Sequence, residues 1–145
     1  KIFFKKNKQG IIFCIYIYTT IIDENIKTLI KSYEKLIGFQ IQVIVRKDLT
    51  NAQQAVQAGH AAIQFQHQHP HFSKLWHDTD NRLIYLEVPD EKALLEFQAK
   101  AIEQNIPHSV FIEPDLGWSK TAIALAPIEE CHTLTKKLQL AKFNR

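Results

Sequence analysis

Polar side chains able to bind a substrate recur along one side of a predicted helix in the first half of the chain. At about 100° per residue, a stripe roughly 80° wide holds five of them: Gln53, Gln57, His60, Gln64 and His67. A solvated helix face usually carries Lys and Glu, whereas this stripe contains only amides and histidines. That composition favours hydrogen bonding to a ligand. The alternative is that the glutamines, which are good helix formers, simply face solvent.

The opposite side of the same helix is apolar, and we expect it to pack against a sheet. Its residues are Ala55, Ala58, Gly59, Ala62, Ile63 and Phe65. Gly59 costs about 1 kcal/mol relative to Ala in a helix interior, and close packing is the compensation that we expect. Thr50 and Gln53 form a Thr-x-x-Gln capping box, which predicts that the helix begins at Asn51.

A group of histidines after this helix has the residue type, but not the arrangement, of a metal site. His67, His69 and His71 are close in the chain, and His77 follows. However, His67 ends the predicted helix, Pro70 bends the chain, and no cysteine or acidic residue joins the group. We therefore expect no metal here. With four glycines in the chain, Gly-rich phosphate loops are excluded as well, so no cofactor is expected.

Alternating elements must position these side chains. Hydrophobic periodicity predicts four strands, over 39–45, 82–88, 108–112 and 121–126. It predicts helices over 51–67, from Asp90 to before Pro107, and over 129–138. This order favours an α/β layer architecture with a mixed sheet. Long helical connections favour parallel pairing, and the shorter connection between the third and fourth strands allows one antiparallel strand.

Composition is that of an ordinary globular protein, with 46% hydrophobic and 23% charged residues. Its 145 residues suffice for one domain with a single core. Cys14 and Cys131 are far apart and fit no metal or redox spacing, so no disulfide and a cytoplasmic location are expected.

The N-terminal segment, residues 1–38, differs in character from the remainder. It holds seven lysines and three acidic residues, a net charge of +4, so residues 39–145 carry −1 of the total +3. Its apolar run, residues 10–22, is shorter than the roughly 20 residues of a membrane span, and we expect no membrane role. A helix is predicted over 23–37. Because the chain has no methionine, we expect that the native start is missing or misassigned, and residues 1–38 are then either an N-terminal extension or translated upstream sequence that is not native coding sequence.

Two adjacent motifs resemble a known family. Ile44-Val-Arg-Lys-Asp-Leu49 precedes Gln53-Gln-Ala-Val-Gln57-Ala-Gly-His60-Ala-Ala62, and together they resemble the signature of type 2 peptidyl-tRNA hydrolases. Val88-Pro-Asp90-Glu91, which opens a helix, is a further match to the family, and the Gln-Gln-Ala-Val-Gln and Glu-Pro-Asp-Leu-Gly forms resemble those of its bacterial branch. The resemblance covers residues 39 to about 140. It implies a three-layer α/β/α domain with a four-stranded mixed sheet, which spans residues 39–145.

The resemblance also implies hydrolysis of the ester that joins a peptide to the 3′ end of tRNA. Gln57 and His60 match the family glutamine and histidine, and Asp115 and Gly117 match its loop. Gln53 stands where the family has lysine, and Trp118 where its loop has a basic residue. The expected partner is peptidyl-tRNA, and a homodimer is one of the arrangements that the sequence allows.

Ester hydrolysis assigns a role to each candidate residue. Histidine changes charge near neutral pH, so His60 is the expected base. The Gln57 amide would donate to the carbonyl oxygen, and Asp115 would orient water or a neighbouring donor. Ser119 would hold water or substrate. The expected substrate-binding residues are Gln53, Gly117, Lys120, which would meet a phosphate, and Thr121.

A second interpretation exists for Asp115, for His60 and for the whole domain. Asp115 is also a typical turn residue before a glycine. His60 is also compatible with a partly buried helix histidine bonded to a carbonyl. The domain itself is either an esterase or a catalytically weak or inactive relative that binds a tRNA end or a protein.

Overall fold

The structure is a computed structural model that describes residues 39–143 together with Glu24 and Thr28. Contacts between Cα atoms divide the chain into two units, residues 1–35 and 36–145. Glu24 and Thr28 are helical, and Thr28 Oγ1 donates to the Glu24 carbonyl oxygen at 2.9 Å. The rest of the helix predicted over 23–37, and the apolar run 10–22, lie outside the described residues.

Strands and helices alternate through the described domain. The strands are β1 (Ile41–Arg46), β2 (Leu83–Val88), β3 (His108–Glu113), β4 (Ser119–Leu125) and β5 (Gln139–Leu140). The helices are α1 (Asn51–Gln68), α2 (Pro70–Thr79), α3 (Glu91–Glu103) and α4 (Glu129–Thr135), with a 3₁₀ turn at Pro114–Leu116. The mixed α/β class is therefore confirmed.

Helix α2 is an element that the sequence analysis does not predict. Pro70 ends α1 as expected, yet it also occupies the first turn of α2. Proline suits that position because its fixed φ is helical and the missing N–H has no helical acceptor there. Trp76 anchors α2 in the core, with 8% of its surface exposed, and its Nε1 donates to the Arg82 carbonyl oxygen at 2.7 Å.

The sheet has five strands in the order β3-β4-β1-β2-β5, and the expectation of four is wrong. The additional strand, β5, has two residues and pairs antiparallel with β2. Two residues are too few to produce a recognisable alternation of polar and apolar side chains. Two strands, β4 and β5, therefore run against the others, rather than one.

Strands β1, β2 and β3 run in the same direction. β1 and β2 pair in parallel, and β4 lies antiparallel to both β1 and β3. The carboxyl ends of the three strands consequently open on one edge of the sheet, together with the start of β4. The helices α1 and α3 begin at this edge, because each follows directly from β1 or β2.

Helices cover both faces of the sheet. Ile41 to Val45 of β1 and Thr121 to Leu125 of β4 are buried at every position, which requires a layer on each side. Neighbouring residues of β4 also bond to different helices: Thr121 contacts α1, whereas Lys120 contacts α3. The connections from β1 to β2 and from β2 to β3 join strands of the same direction but run in opposite directions across the sheet, so right-handed crossovers place α1 and α3 on opposite faces.

The buried face of α1 is rotated relative to the prediction. Its buried residues are Gln54, Gln57, Ala58, Ala61, Ala62 and Phe65. Ile63 is 68% exposed, and Ala55 is also exposed, so both expectations of sheet contact are wrong. The rotation turns one border of the polar stripe towards the sheet. The Nε2 of Gln54 donates to the Leu49 carbonyl oxygen at 2.7 Å, whereas its Oε1 is buried without a partner among the described residues.

Close packing does not explain Gly59. A Cβ built at this position would meet no atom within 4 Å, so the expected close approach to the sheet is absent. The helix therefore bears the conformational cost of glycine without a steric need for it.

We predict that Gly59→Ala raises the free energy of unfolding by about 1 kcal/mol, the difference between Gly and Ala in a helix interior. Thermal unfolding of wild type and variant measures the change. Ala55→Gly is the matched control in the same helix, since Ala55 is also exposed, and it should destabilise by a similar amount. A less stable Gly59→Ala variant would contradict this reading.

Candidate active site

A buried glutamine joins α1 to the hairpin of β3 and β4. Gln57 is 4% exposed, and its Nε2 donates to Glu113 Oε2 at 2.7 Å. On the other side of the amide, Thr121 Oγ1 donates to Gln57 Oε1 at 2.8 Å. One partner is an acceptor and the other a donor, so the two contacts fix which way the amide faces.

The Thr121 side chain reaches this amide because β4 contains an extra residue. Phe111 pairs with Ala122, whereas the next residue of β3, Ile112, pairs with Lys120. Thr121 is therefore the unpaired residue of a β-bulge, a feature that redirects a side chain. Thr121 is 0% exposed, and its hydroxyl donates to Gln57 within the protein.

Glu113 is held as a carboxylate. The hydrogen bond from Gln57 is the largest influence that lowers the pKa of Glu113, and the backbone amide of Asp115, 3.3 Å from Oε1, lowers it further. Partial burial opposes the shift, and the nearby His60 adds a smaller lowering of the pKa. Glu113 therefore carries a negative charge at neutral pH, directly beside the buried amide.

His60 lies over the same hairpin. Its ring stacks on Phe111, with centroids 4.6 Å apart and an angle of 11° between planes. Phe111 precedes Glu113 by two residues, so both side chains point towards α1. His60 is exposed, and its ring makes no hydrogen bond to another described residue. The alternative of a partly buried histidine bonded to a carbonyl is thus wrong.

Two further glutamines of α1 hold the helix against the edge strand. Gln64 Nε2 donates to the Val110 carbonyl oxygen at 3.1 Å. Ser109 Oγ donates to Gln68 Oε1 at 2.5 Å. These amides satisfy polar groups of β3 and are not free for a ligand. The polar stripe is therefore partly structural, and Gln57 and His60 are its members next to Glu113.

Two cations at this edge of the sheet, Arg46 and Lys120, are hydrogen-bonded to other side chains of the protein. Arg46 makes a bidentate bond to Asp48, 2.9 Å from Nε to Oδ1 and 2.8 Å from Nη2 to Oδ2, which raises the pKa of the arginine and lowers that of the aspartate. Lys120 Nζ donates to Gln98 Oε1 at 2.9 Å on α3. Its ammonium group thus points to the face of the sheet opposite Gln57. Glu91 Oε1 accepts from the Lys120 amide at 2.7 Å and ties α3 to the same edge.

The model of the family described as peptidyl-tRNA hydrolase PTH2 matches residues 39–141 of the chain. The chain belongs to this family. The match covers the whole sheet and every element that contributes to the Gln57 site.

A solved structure supports the fold of the PTH2 domain. It is a protein of unknown function from Agrobacterium tumefaciens strain C58, with 16% sequence identity and a TM-score of 0.56. The alignment covers 72% of this chain and 98% of that chain. At this identity the likeness shows the fold alone. No curated protein matches the sequence.

The hairpin turn of this PTH2 domain contains the other residues singled out from the sequence. Asp115 lies in the 3₁₀ turn, exposed, and contributes its backbone amide to Glu113; its carboxylate bonds to no other described residue. Gly117 has φ of 68°, a left-handed conformation that favours glycine. Ser119 faces Glu113 in the hairpin register. The structure thus brings all three to the site, Asp115 and Gly117 as turn residues.

Gln53 stands apart from that group. Its side-chain Oε1 accepts from the Thr50 amide at 3.0 Å, and Thr50 Oγ1 accepts from the Gln53 amide at 3.3 Å. The predicted capping box is confirmed. Its place in substrate binding stays a prediction, as do the roles of the other candidate residues.

Glu113 is the residue that the sequence analysis missed as a site component. It is the last residue of β3 and directly precedes Pro114, so the sequence around it indicates only that the strand ends there. The available signal was its position in the Glu-Pro-Asp-Leu-Gly motif that carries the resemblance. Its contact with Gln57 spans 56 residues, and no local pattern reports a pairing at that separation.

The histidines and Cys131 have structural surroundings. Among residues 39–143, no three His, Cys, Asp or Glu side chains are grouped to hold a metal ion. His69 Nε2 instead contacts the His108 carbonyl oxygen at 3.0 Å. Cys131 is buried in the core, which raises the pKa of its thiol to about 12. None of the helices in this part of the chain is long and apolar enough to cross a membrane.

We predict that Glu113→Gln lowers stability at pH 7 and has less effect in acid. In the folded state the pKa of Glu113 is below its ordinary value. Its contribution is therefore present above the ordinary glutamate pKa of about 4.3 and is lost as the pH falls through the lowered value.

Thermal unfolding of both proteins at pH 7 and below about pH 4 tests this. Glu96→Gln is the control, because Glu96 is exposed and outside the site. A difference between wild type and Glu113→Gln that is the same at both pH values would show that the charge is not stabilised.

Proposed function

We propose that this PTH2 domain hydrolyses the ester bond of peptidyl-tRNA and releases the peptide and the tRNA. The observation that carries the proposal is the fixed amide of Gln57 beside an ionised Glu113 and an exposed His60. These groups supply a donor, a carboxylate and a base at one edge of the sheet. Family membership supplies the substrate class. Such a substrate is made during translation, so the proposed location is the cytoplasm.

Gln57 is the proposed donor to the ester carbonyl. Its Nε2 carries two hydrogens, of which one is given to Glu113 at 2.7 Å. The second makes no hydrogen bond with a described residue. A donor that is already oriented stabilises the developing oxyanion without reorganising during the reaction. In this proposal the carbonyl oxygen of the substrate accepts that second hydrogen.

Glu113 and His60 are proposed to activate the water. The Glu113 carboxylate accepts a hydrogen bond from the water, while His60 removes its other proton. The water oxygen bonds to the carbonyl carbon, and the bond from that carbon to the ribose oxygen breaks. His60 then gives its proton to the departing ribose oxygen, which becomes a hydroxyl group of the tRNA, so that atoms and charges balance. In this proposal Asp115 supports the Glu113 carboxylate through its backbone amide, and Ser119, which pairs with Glu113 in the hairpin, contacts the substrate.

One observation favours the alternative, a binding module with little or no catalytic activity. Gln53, at the position of the family lysine, is engaged in the capping box, and Lys120 is bonded to Gln98. The site thus has no unengaged cation among the described residues that contact Gln57. A module of this kind would bind a tRNA end or a protein without cleaving the ester.

We predict that His60→Ala slows peptidyl-tRNA cleavage roughly 100-fold or more, the usual contribution of a general base. Alanine is the better helix former, so the fold should be retained. Single-turnover cleavage with a labelled peptidyl-tRNA measures the rate.

His67→Ala is the matched control, because His67 is an exposed histidine two turns further along α1, and its rate should equal that of wild type. Equal rates for His60→Ala and wild type would exclude His60 as the base. A wild-type protein that binds but does not cleave would establish the binding module instead.

A further inference from the structure

Trp118 has the greatest exposure of any large hydrophobic side chain in the described part of the chain. Its relative exposure is 73%, and it follows Gly117 at the tip of the β3–β4 hairpin. The other tryptophan, Trp76, is 8% exposed and bonds through Nε1 to a backbone carbonyl. Trp76 has a clear structural role, whereas Trp118 contributes almost nothing to the core.

The backbone of Trp118 is strained as well. Its φ is 61°, a left-handed conformation that is an outlier for a bulky residue. Glycine at the same place would avoid that cost. A large aromatic side chain therefore stands where the backbone conformation favours glycine, and burial of the ring does not offset the strain. Strained residues of this kind cluster at ligand sites.

Glu113 connects Trp118 to the proposed site. The Trp118 amide donates to the Glu113 carbonyl oxygen at 3.0 Å, and the Glu113 carboxylate accepts from Gln57 at 2.7 Å. The backbone amide of Trp118 is thus bonded to the main-chain carbonyl of Glu113, the residue whose side chain is the proposed catalytic carboxylate. In peptidyl-tRNA, the group next to the ester is the terminal nucleoside.

The charge of the domain favours a contact with RNA that does not depend on attraction of phosphates. Residues 39–145 have 11 Lys and Arg and 12 Asp and Glu, a net charge of −1. Arg46 and Lys120, two cations at this edge of the sheet, are bonded to Asp48 and Gln98. Attraction of phosphates by such a surface is weak. Stacking of a base on an aromatic ring does not depend on charge.

We propose that Trp118 stacks on the 3′-terminal nucleobase of the RNA part of the substrate. The proposal rests on the proposed function in taking the RNA end as the ligand. It adds the contact that positions the terminal nucleoside, and therefore the ester, against Gln57. A peptide side chain on the same ring is the competing occupant that the test must exclude.

The test uses the full chain and the trinucleotide CCA with a free 3′ hydroxyl. Binding should quench the fluorescence of the exposed Trp118 but not that of the buried Trp76. Trp118→Leu should bind CCA roughly tenfold more weakly or worse, the usual effect of losing one stacked base. Affinity is measured for all proteins by competition with a labelled CCA. Trp118→Phe should recover most of it, and the ratio of affinities should not change with salt.

Trp118→Gly separates binding from folding. It should unfold at a higher temperature than wild type, because it relieves the left-handed strain, and yet bind CCA as weakly as Trp118→Leu. A trinucleotide that lacks the terminal base is the ligand control, and wild type should bind it as weakly as the leucine variant binds CCA.

Three results would overturn the proposal: unchanged CCA affinity in Trp118→Leu, equal affinity of wild type for the abasic trinucleotide, or quenching by an N-acetylated peptide amide in place of CCA. These outcomes are independent of cleavage. CCA binding that depends on Trp118, in a protein that leaves peptidyl-tRNA intact, would refute the proposed function and support the stacking. Cleavage by Trp118→Leu with the same KM as wild type would support the proposed function and refute the stacking.

Discussion

The site depends on the two hydrogen bonds of the Gln57 amide. One reaches the Glu113 carboxylate at the end of β3, and the other comes from the Thr121 hydroxyl in β4. A buried amide without partners costs about 1 to 3 kcal/mol, so α1 and the hairpin are tied together by groups that must remain paired. The bond from Gln57 lowers the pKa of Glu113, and the two contacts together orient the donor that the proposed reaction uses.

The topology of the sheet explains why these groups meet. β3 and β1 run in the same direction but are separated by β4, which runs back between them. The end of β3, the beginning of β4 and the beginning of α1 are therefore brought to one edge, where α/β folds commonly bind ligands. The bulge at Thr121 then turns one hydroxyl towards α1, while Lys120 points to α3 on the other face.

The sequence predicted α1 well because the residues that define this helix lie close together in the chain. The capping box at Thr50 fixes its start, and the polar stripe identifies Gln57 and His60. Its rotation was less predictable, because the burial of Gln54 depends on a carbonyl in the preceding loop. Glu113 escaped notice for a similar reason. Its place in the site depends on a hydrogen bond from Gln57, 56 residues away, and not on its neighbours in the chain.

The most direct test of this account is the rate of single-turnover peptidyl-tRNA cleavage by Thr121→Val. Thr121 is fully buried; its hydroxyl donates to Gln57 Oε1 at 2.8 Å and lies 3.4 Å from the Phe111 carbonyl oxygen, so the substitution removes the shorter bond, which orients the Gln57 amide, together with this longer contact. We expect a folded protein whose cleavage is roughly 10- to 100-fold slower, the effect of a misplaced catalytic group. The same change at the exposed Thr133 should leave the rate unaltered. A Thr121→Val protein that cleaves as fast as wild type would contradict the central place given to the amide of Gln57.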